Sequence, residues 1–589
     1  MRIRRAIAVT ATAVLTSALL VGATGNAGPA QASSASPGTH DVIVHLFQWP
    51  WASVASECTS TLGPKGYGAV QVSPPQEHVE LSGHPWWQDY QPVSYQLVSR
   101  RGNRAAFASM VSTCHAAGVK VYVDAVLNHT VGGASTGVGS AGSSYTHYTN
   151  PAVPYGYDDF HHCGRNGNDD IVNYTDTWEV QNCELSDLAD LKTESTYVRA
   201  ELSGYLSDLV SLGVDGFRLD AAKHMPVADL SAILSAVPGN PYIYSEVIED
   251  TAGGPTPEEY DGIGDVTEFR YGDTVSSAFS GGNLSTLSSL PAAMRLSSGD
   301  ALVFIDNHDT QRNGRNVLTY KNGSTYNLAE AFMIAYPYGV PSVMSSFSFT
   351  DKDAGPPSAS DGTTNAVTCG SGWECEHRVR MEANMVGVRN ASAGAAVTNW
   401  WSNGSNQIAF GRGSAAFVAF NRNGSALTRT FQTSLPAGTY CDVMSGDANG
   451  TTCTGTTYTV DSSSQVTATV PANGALALDI NARTTANTGT CTTDAVSFAA
   501  NVTTTWGQNV YVVGNTAALG NWDPAGAVAL SSASYPVWTA AVNLPAGTAV
   551  QYKYIKKEGS TVTWESDPNR SNTPPSSSPC SATWTDTWR

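Results

Sequence analysis

Charge is sparse in this chain, and positive charge is the scarcer kind. Of 589 residues 14% are charged, with 31 Lys and Arg against 50 Asp and Glu and a net charge of −19. Such a surface disfavours nucleic acid and anionic membranes and leaves a neutral polymer or a cation as the natural partner. None of the ten cysteines stands at C-x-x-C spacing to another, which argues against a structural zinc site. A single early apolar run occurs, from Ala6 to about Val21, and no second apolar span follows it. Arg2, Arg4 and Arg5 precede the run, and Ala30-Gln31-Ala32 supplies a small-residue cleavage site, so residues 1–32 read as a secretory signal peptide. The leader contains three of the arginines and no acid, so the exported chain is more acidic still.

Cysteines in an exported chain read as disulfides. The short-range candidates are Cys163 with Cys183, Cys369 with Cys375, and Cys441 with Cys453. Cys58 with Cys114 and Cys491 with Cys580 would then close the long loops, although spacing alone does not fix the pairing.

From about Asp41 to Phe347 short apolar runs alternate with helical patterns. Strands are predicted at 42–49, 68–74, 119–126, 216–221, 242–247, 265–269, 301–307 and 341–347. Helices are predicted at Ala105–Ala117, stopped by Gly118, and at Tyr197–Leu212, stopped by Gly213. Repeated β-α units with eight strands predict an α/β fold, a closed (β/α)8 TIM barrel within residues 33–395. Residues 129–187, rich in Gly, Ser, Tyr, Asn and Asp, are too long for a plain connection and read as a subdomain inserted after the third strand. Residues 396–482 read as an all-β C-terminal domain, 483–490 as a polar linker, and 491–589 as a further β-sandwich block.

Three predicted strands end on a carboxylate: Gly216-Phe-Arg-Leu-Asp220, Tyr242-Ile-Tyr-Ser-Glu246 and Val303-Phe-Ile-Asp-Asn-His-Asp309. Acids at the carboxyl ends of separate barrel strands meet at one mouth. Paired carboxylates are what glycosidic bond cleavage requires. Arg218, two residues before Asp220, leans to the same face of its strand. It is placed to keep Asp220 ionised, or to pair inside the barrel with Asp124, or both. Glu246 opens a more apolar stretch beside two acids, and both effects raise the pKa of a proton donor.

At these segments the chain resembles the α-amylase family of glycoside hydrolases. The likeness is carried by Asp124-Ala-Val-Leu-Asn-His129, Gly216-Phe-Arg-Leu-Asp-Ala-Ala-Lys-His224, Ser245-Glu-Val-Ile248 and Phe304-Ile-Asp-Asn-His-Asp309, in the family's order. Gln71-Val-Ser-Pro-Pro75 and Pro85-Trp-Trp87 are similar to its animal-type branch. Leu519-Gly-Asn-Trp522 and Trp564-Glu-Ser-Asp-Pro-Asn-Arg570 resemble a C-terminal starch-binding module.

The resemblance implies a secreted endo-acting α-amylase that hydrolyses internal α-1,4 bonds with retention. The alternatives are a glucanotransferase, an exo-acting maltooligosaccharide-forming amylase and a non-catalytic starch-binding protein. By that likeness Asp220 is the nucleophile, Glu246 the acid and then base, and Asp309 the carboxylate that grips sugar hydroxyls. Trp86, Trp87, Tyr90, Gln91, His129, Tyr174, Arg218, Lys223, His224 and His308 are implied at the substrate, with a solvated surface role as the alternative for Lys223. Asn128, Asp190 and the carbonyls of Gln181 and His224 match the family's structural calcium ligands; alternatively Asp190 only caps the helix that follows. In the module, Trp522, Lys553, Trp564 and Asn569 match one sugar site and Trp506 with Tyr535 a second, while Trp538 reads as core. Arg218 and Asn307 match two of three chloride ligands of the animal branch. Ser348 stands where its second arginine is expected, so chloride binding is doubtful and no chloride is assigned. The family's glycine-rich mobile loop after Asp309 is replaced by Arg312-Asn-Gly-Arg-Asn316. Expected partners are starch, amylose, amylopectin and glycogen-like glucans, with neither nucleic acid nor membrane, for a chain expected to act as a monomer.

Overall fold

The computed structural model describes residues 38–133, 136–249, 253–484, 493–505, 507–576 and 581–589. The signal-peptide reading, most of the linker, Trp506, Cys491 and Cys580 lie outside the described residues.

Eight parallel strands close into a barrel, each beside its neighbours in sequence: β1 (Ile43–Leu46), β2 (Ala69–Val72), β3 (Lys120–Val126), β4 (Gly216–Asp220), β5 (Tyr242–Ser245), β6 (Asp265–Thr267), β7 (Ala301–Val303) and β8 (Val340–Ser345). All eight predicted strands are present, several of them shorter than expected. Strand alternation sends residues i and i+2 to one face, and here it builds two separate cores. Val44, Leu46, Val70, Val72, Val121, Val123, Phe217 and Leu219 point outward into the main core beneath the helices. Ile43, Ala69, Tyr122, Tyr242, Tyr244, Leu302 and Val340 belong to a second cluster inside the barrel. Gly216 makes that interior possible. A Cβ there would lie 2.4 Å from the Tyr242 carbonyl oxygen and 2.8 Å from the Tyr122 ring.

The two predicted helices form at Arg104–Ala116 and Thr196–Ser211. The first is capped by the Asn103 side chain, which accepts from the Ala106 N–H. Gly118 and Gly213 follow their helices with φ of +77° and +99°, the left-handed turn that glycine adopts without penalty.

The insertion opens as a strand, His129–Gly132, that pairs antiparallel with Leu188–Asp190. Its closing strand thus begins just after the expected boundary at 187. Disulfides join Cys58 to Cys114, Cys163 to Cys183, Cys369 to Cys375 and Cys441 to Cys453. Beyond the barrel, two four-stranded antiparallel sheets make the C-terminal all-β domain. Its first sheet packs on helix Ser324–Ala335: Phe332 meets Phe420 at 5.7 Å and Arg412 donates to the Ala335 carbonyl at 2.5 Å. The final block is a β-sandwich about its own core of Val496, Phe498, Val510, Val512, Trp538, Tyr552 and Tyr554. No helix among the described residues is long and apolar enough to cross a membrane.

Gly216→Ala should therefore destabilise the barrel by about 1–3 kcal/mol through overpacking, seen as a lower melting temperature. An unchanged melting curve would show that the Tyr122–Tyr242 contact does not need the missing side chain.

Candidate active site at the carboxyl end of the barrel

Arg218 is the hub of the barrel mouth. It rises from the middle of β4 and is 4% exposed. Its Nη1 donates to Asp124 Oδ1 at 2.5 Å and to Asp220 Oδ1 at 2.9 Å. Its Nη2 lies 2.7 Å from Glu246 Oε1. The other Glu246 oxygen accepts from the Ala221 N–H at 3.0 Å. Ala221 holds φ at +48°, a turn that costs a non-glycine residue about 1–2 kcal/mol and lets the chain leave β4 with this N–H facing Glu246.

Arg218 therefore pairs with Asp124 and the nucleophile candidate at once, as both sequence readings allowed. It does not hold Asp220 below the ordinary carboxylate range. Burial outweighs the guanidinium, and the Asp220 pKa is raised. One cation shared among three buried acids cannot neutralise all of them. Glu246 is raised by burial and by Asp220, against the pull of Arg218. Asp309 is pushed to about 8, chiefly by burial and then by Glu246. Asp124 rises to about 7 by burial. Arg218 opposes the rise at Asp220 both through its charge and through the Nη1 hydrogen bond.

Aromatic and imidazole rings line this cluster. Tyr90 donates to Asp124 Oδ2 at 2.9 Å and stacks on His308 at 5.2 Å. His308 Nε2 lies 3.3 Å from Asp309 Oδ2. Burial keeps the His308 imidazole neutral. Half-buried Trp86 meets the rings of Phe47, Tyr90 and His308 edge-on and donates its Nε1 hydrogen to the Lys352 carbonyl. Trp87 beside it is half-buried.

Other expected substrate residues hold the frame of the site. His129 is buried, with Nε2 2.9 Å from the Tyr90 carbonyl oxygen, and burial lowers its pKa to about 4. Gln91 Oε1 accepts from the Gly132 N–H at 3.0 Å, which anchors the first strand of the insertion. Lys223 is buried, not a solvated surface lysine, because Tyr260 closes over its turn and donates to the Lys223 and Met225 carbonyls. Tyr174 is 40% exposed on the insertion.

The expected calcium ligands gather as two pairs. The Leu191 N–H donates to the Asn128 carbonyl at 2.9 Å, bringing Asn128 beside Asp190. His224 Nδ1 lies 3.0 Å from the Val180 carbonyl oxygen, and Gln181 donates to Tyr260 Oη at 3.1 Å. Asn128 Oδ1 and Asp190 Oδ1 are both buried acceptors without a protein partner. Leaving such groups unmet costs about 1–3 kcal/mol each, and Asp190 does not cap the following helix, whose N-cap is Ser195.

In the last block, Trp522 is half-buried while Trp564 and Tyr535 are 40% and 51% exposed. Trp538 is buried and donates to the Val502 carbonyl. Lys553 is mostly buried, with Nζ 2.6 Å from Asp567 Oδ1, and Asn569 donates to Gln551 Oε1 at 3.2 Å.

Three neighbours escaped the sequence reading. His45 projects into the barrel two residues after Ile43 and meets His308 edge-on; alternation along β1 was the available signal. Arg312 lies 4.0 Å from the Phe349 ring centre and donates to the His308 carbonyl. His161 Nδ1 sits 2.7 Å from Asp190 Oδ2, a contact that only the closing of the insertion creates.

Comparison with known proteins bears on this geometry. Residues 69–255 match the α-amylase catalytic domain, 400–481 the α-amylase C-terminal all-beta domain, and 493–584 the starch binding domain. An α-amylase of Streptomyces violaceus is 50% identical over 579 residues, covering 97% of each chain. The chain belongs to the α-amylase family. It is accordingly a glycoside hydrolase. An α-amylase of Tenebrio molitor is 47% identical, over 75% of this chain and 97% of its own. The crystal structure of α-amylase I from Eisenia fetida is similar at TM-score 0.73 and 40% identity, over 76% of this chain and 99% of that one. A γ-cyclodextrin glucanotransferase of an alkalophilic Bacillus shares the fold at TM-score 0.57 and 19% identity, over 95% of this chain and 100% of its own.

Because Arg218 lowers both Asp220 and Glu246, its removal should raise their pKa values. In Arg218→Gln the acid limb of the kcat/KM profile should move upward by roughly 1 unit or more, in protein shown folded by its melting curve. An unmoved acid limb would show that Arg218 does not set the ionisation of the trio.

Proposed function

We propose that this amylase is a secreted, endo-acting enzyme that cleaves internal α-1,4 bonds of starch and related glucans with retention. The observation that supports it most is that two strand-end carboxylates, Asp220 and Glu246, grip separate nitrogens of one buried guanidinium, with the third, Asp309, in their field. Retention needs two carboxyls about 5 Å apart, one ionised and one protonated.

In this reading Asp220 attacks the anomeric carbon. Glu246, its proton retained by burial, delivers that proton to the leaving oxygen and then accepts one from the incoming water. Asp309, protonated at neutral pH, donates to sugar hydroxyls. Trp86, Trp87 and Tyr90 offer flat rings to the apolar faces of glucose, and His308 polarises hydroxyls as a neutral imidazole. A relative's structure, the Eisenia fetida enzyme with a glutamate-to-glutamine substitution, is described as a maltohexaose complex, in keeping with a polymeric glucan.

Asn128 Oδ1, Asp190 and the carbonyls of Gln181 and His224 would hold Ca²⁺, which favours mixed oxygen ligands. Bound there, the ion supplies a cross-link between the insertion and the barrel. Trp522 and Trp564 as one sugar site, and Tyr535 with the sequence candidate Trp506 as a second, would stack on starch chains and keep the catalytic domain near granules. Four disulfides among the described residues support export. A monomer is the simplest assembly for these roles.

Asp220→Asn and Glu246→Gln should each lose nearly all turnover while still binding starch. The wild-type enzyme should rapidly thin soluble starch to mixed oligosaccharides that first appear as the α-anomer. Substantial turnover in either variant would remove the role assigned to that residue. A single small product from the outset would exclude endo action, and new longer or cyclic glucans would indicate transfer. Chelation with EDTA should lower the melting temperature, by about 2.7 kcal/mol of lost stability if the ion stands at a hundredfold its dissociation constant. A melting curve indifferent to EDTA would eliminate the calcium site.

A further inference from the structure

Within the insertion, away from the carboxylate trio, His147, Glu184 and Asp187 each present one ligand atom, all within 4.8 Å of one another. His147 follows the hairpin strand Ser144–Thr146, and Glu184 follows Cys183 of the Cys163–Cys183 disulfide. The Glu184 side chain is fully buried. Its Oε1 receives the Tyr148 hydroxyl at 2.8 Å and lies 3.0 Å from His147 Nε2. Its Oε2 is buried and has no partner. A buried carboxylate oxygen left unmet beside an imidazole and a second carboxylate is an unexplained cost in an otherwise well-bonded loop.

We propose that His147, Glu184 and Asp187 form a second metal site, selective for a first-row divalent ion such as Zn²⁺. One nitrogen and two carboxylates are a ligand set that Zn²⁺ takes readily with a fourth position left to water. Imidazole is foreign to Ca²⁺, which prefers oxygen throughout, so the two sites divide by chemistry. The Tyr148 hydroxyl would then orient Glu184 as an outer hydrogen-bond donor. Ser186 and Asp187 both hold positive φ, at 55° and 63°, backbone strain of the kind kept at ligand clamps. Occupancy would clamp the hairpin to the segment that returns to the barrel.

The test uses the full exported chain in saturating CaCl2, freed of other metals, with Co²⁺ as the spectroscopic probe. One equivalent of Co²⁺ should bind with the intense visible bands of a four-coordinate ion, be displaced by Zn²⁺, and raise the melting temperature. His147→Gln should lose that equivalent and its bands. Asp187→Asn, the milder change, should weaken Co²⁺ binding at least 10-fold, by analogy with the loss of supporting groups at metal sites. Both variants should keep wild-type starch hydrolysis in calcium. Absence of a Co²⁺ equivalent in the wild type, or its persistence in folded His147→Gln or Asp187→Asn, would overturn the site.

Discussion

A single buried guanidinium organises the mouth of this barrel. Arg218 touches Asp124, Asp220 and Glu246, and Asp309 shares their field. Desolvating one carboxylate without compensation costs several kcal/mol, and removing one partner of a buried ion pair costs about 3–5 kcal/mol. Four acids with one cation cannot all be ionised. Protons must remain among them at neutral pH, and the geometry decides where. Burial raises Asp220, Glu246 and Asp309 alike, Arg218 pulls against it at all three, and Asp309, pushed to about 8, keeps its proton at neutral pH. Like side chains thus come to differ in their hold on a proton by position alone.

The sequence carried this cluster in legible form because strand geometry is local. An acid at the end of an apolar run, with an arginine two residues earlier, fixes both side chains to the barrel interior before any contact is known. The eight strands and two helices were legible for the same reason. What local pattern could not supply was the full sharing. Arg218 reads from the sequence as a partner of Asp220, of Asp124 or of both; its further contact with Glu246 depends on β3 and β5 flanking β4, and burial leaves Asp220 above the ordinary range. His161 reaches Asp190 through the fold of a loop with no periodicity. His129 and Lys223 sit in family motifs, yet one is turned to a backbone carbonyl and the other is enclosed beneath Tyr260. Motif membership places a residue near a site without saying which way its polar atoms face.

The segment after Asp309 illustrates a related point. Where glycines would give a mobile loop, Arg312 is held against Phe47, Trp86, Phe347 and Phe349, with ring centres between 4.0 and 5.5 Å from its guanidinium carbon. Burial lowers its pKa to about 10, and it remains a cation at neutral pH. Cation–π contacts of this kind contribute about 0.5–2 kcal/mol each. They tie the segment to Trp86, so the aromatic rim and the chain that follows the third carboxylate form one packed unit.

Stability and chemistry are separated along the strands themselves. Stepping by two residues up the interior of β1 leads from Ile43 to His45, up β2 from Ala69 to Gln71, up β3 from Tyr122 to Asp124, and up β4 from Gly216 to Arg218 and Asp220. The lower layer is apolar and fully packed, closed by the glycine that admits Tyr122 and Tyr242. The middle is bridged by polar pairs such as Tyr244 with Gln71 at 2.8 Å. Asp124 and Arg218 stand in that middle layer as well, and Asp220 lies one step above them. The barrel floor therefore excludes water from beneath the acids, and that exclusion gives burial its hold over their protons. A change in the floor such as Gly216→Ala acts on the acids only through this layer, whereas a change at Arg218 acts on their charge directly.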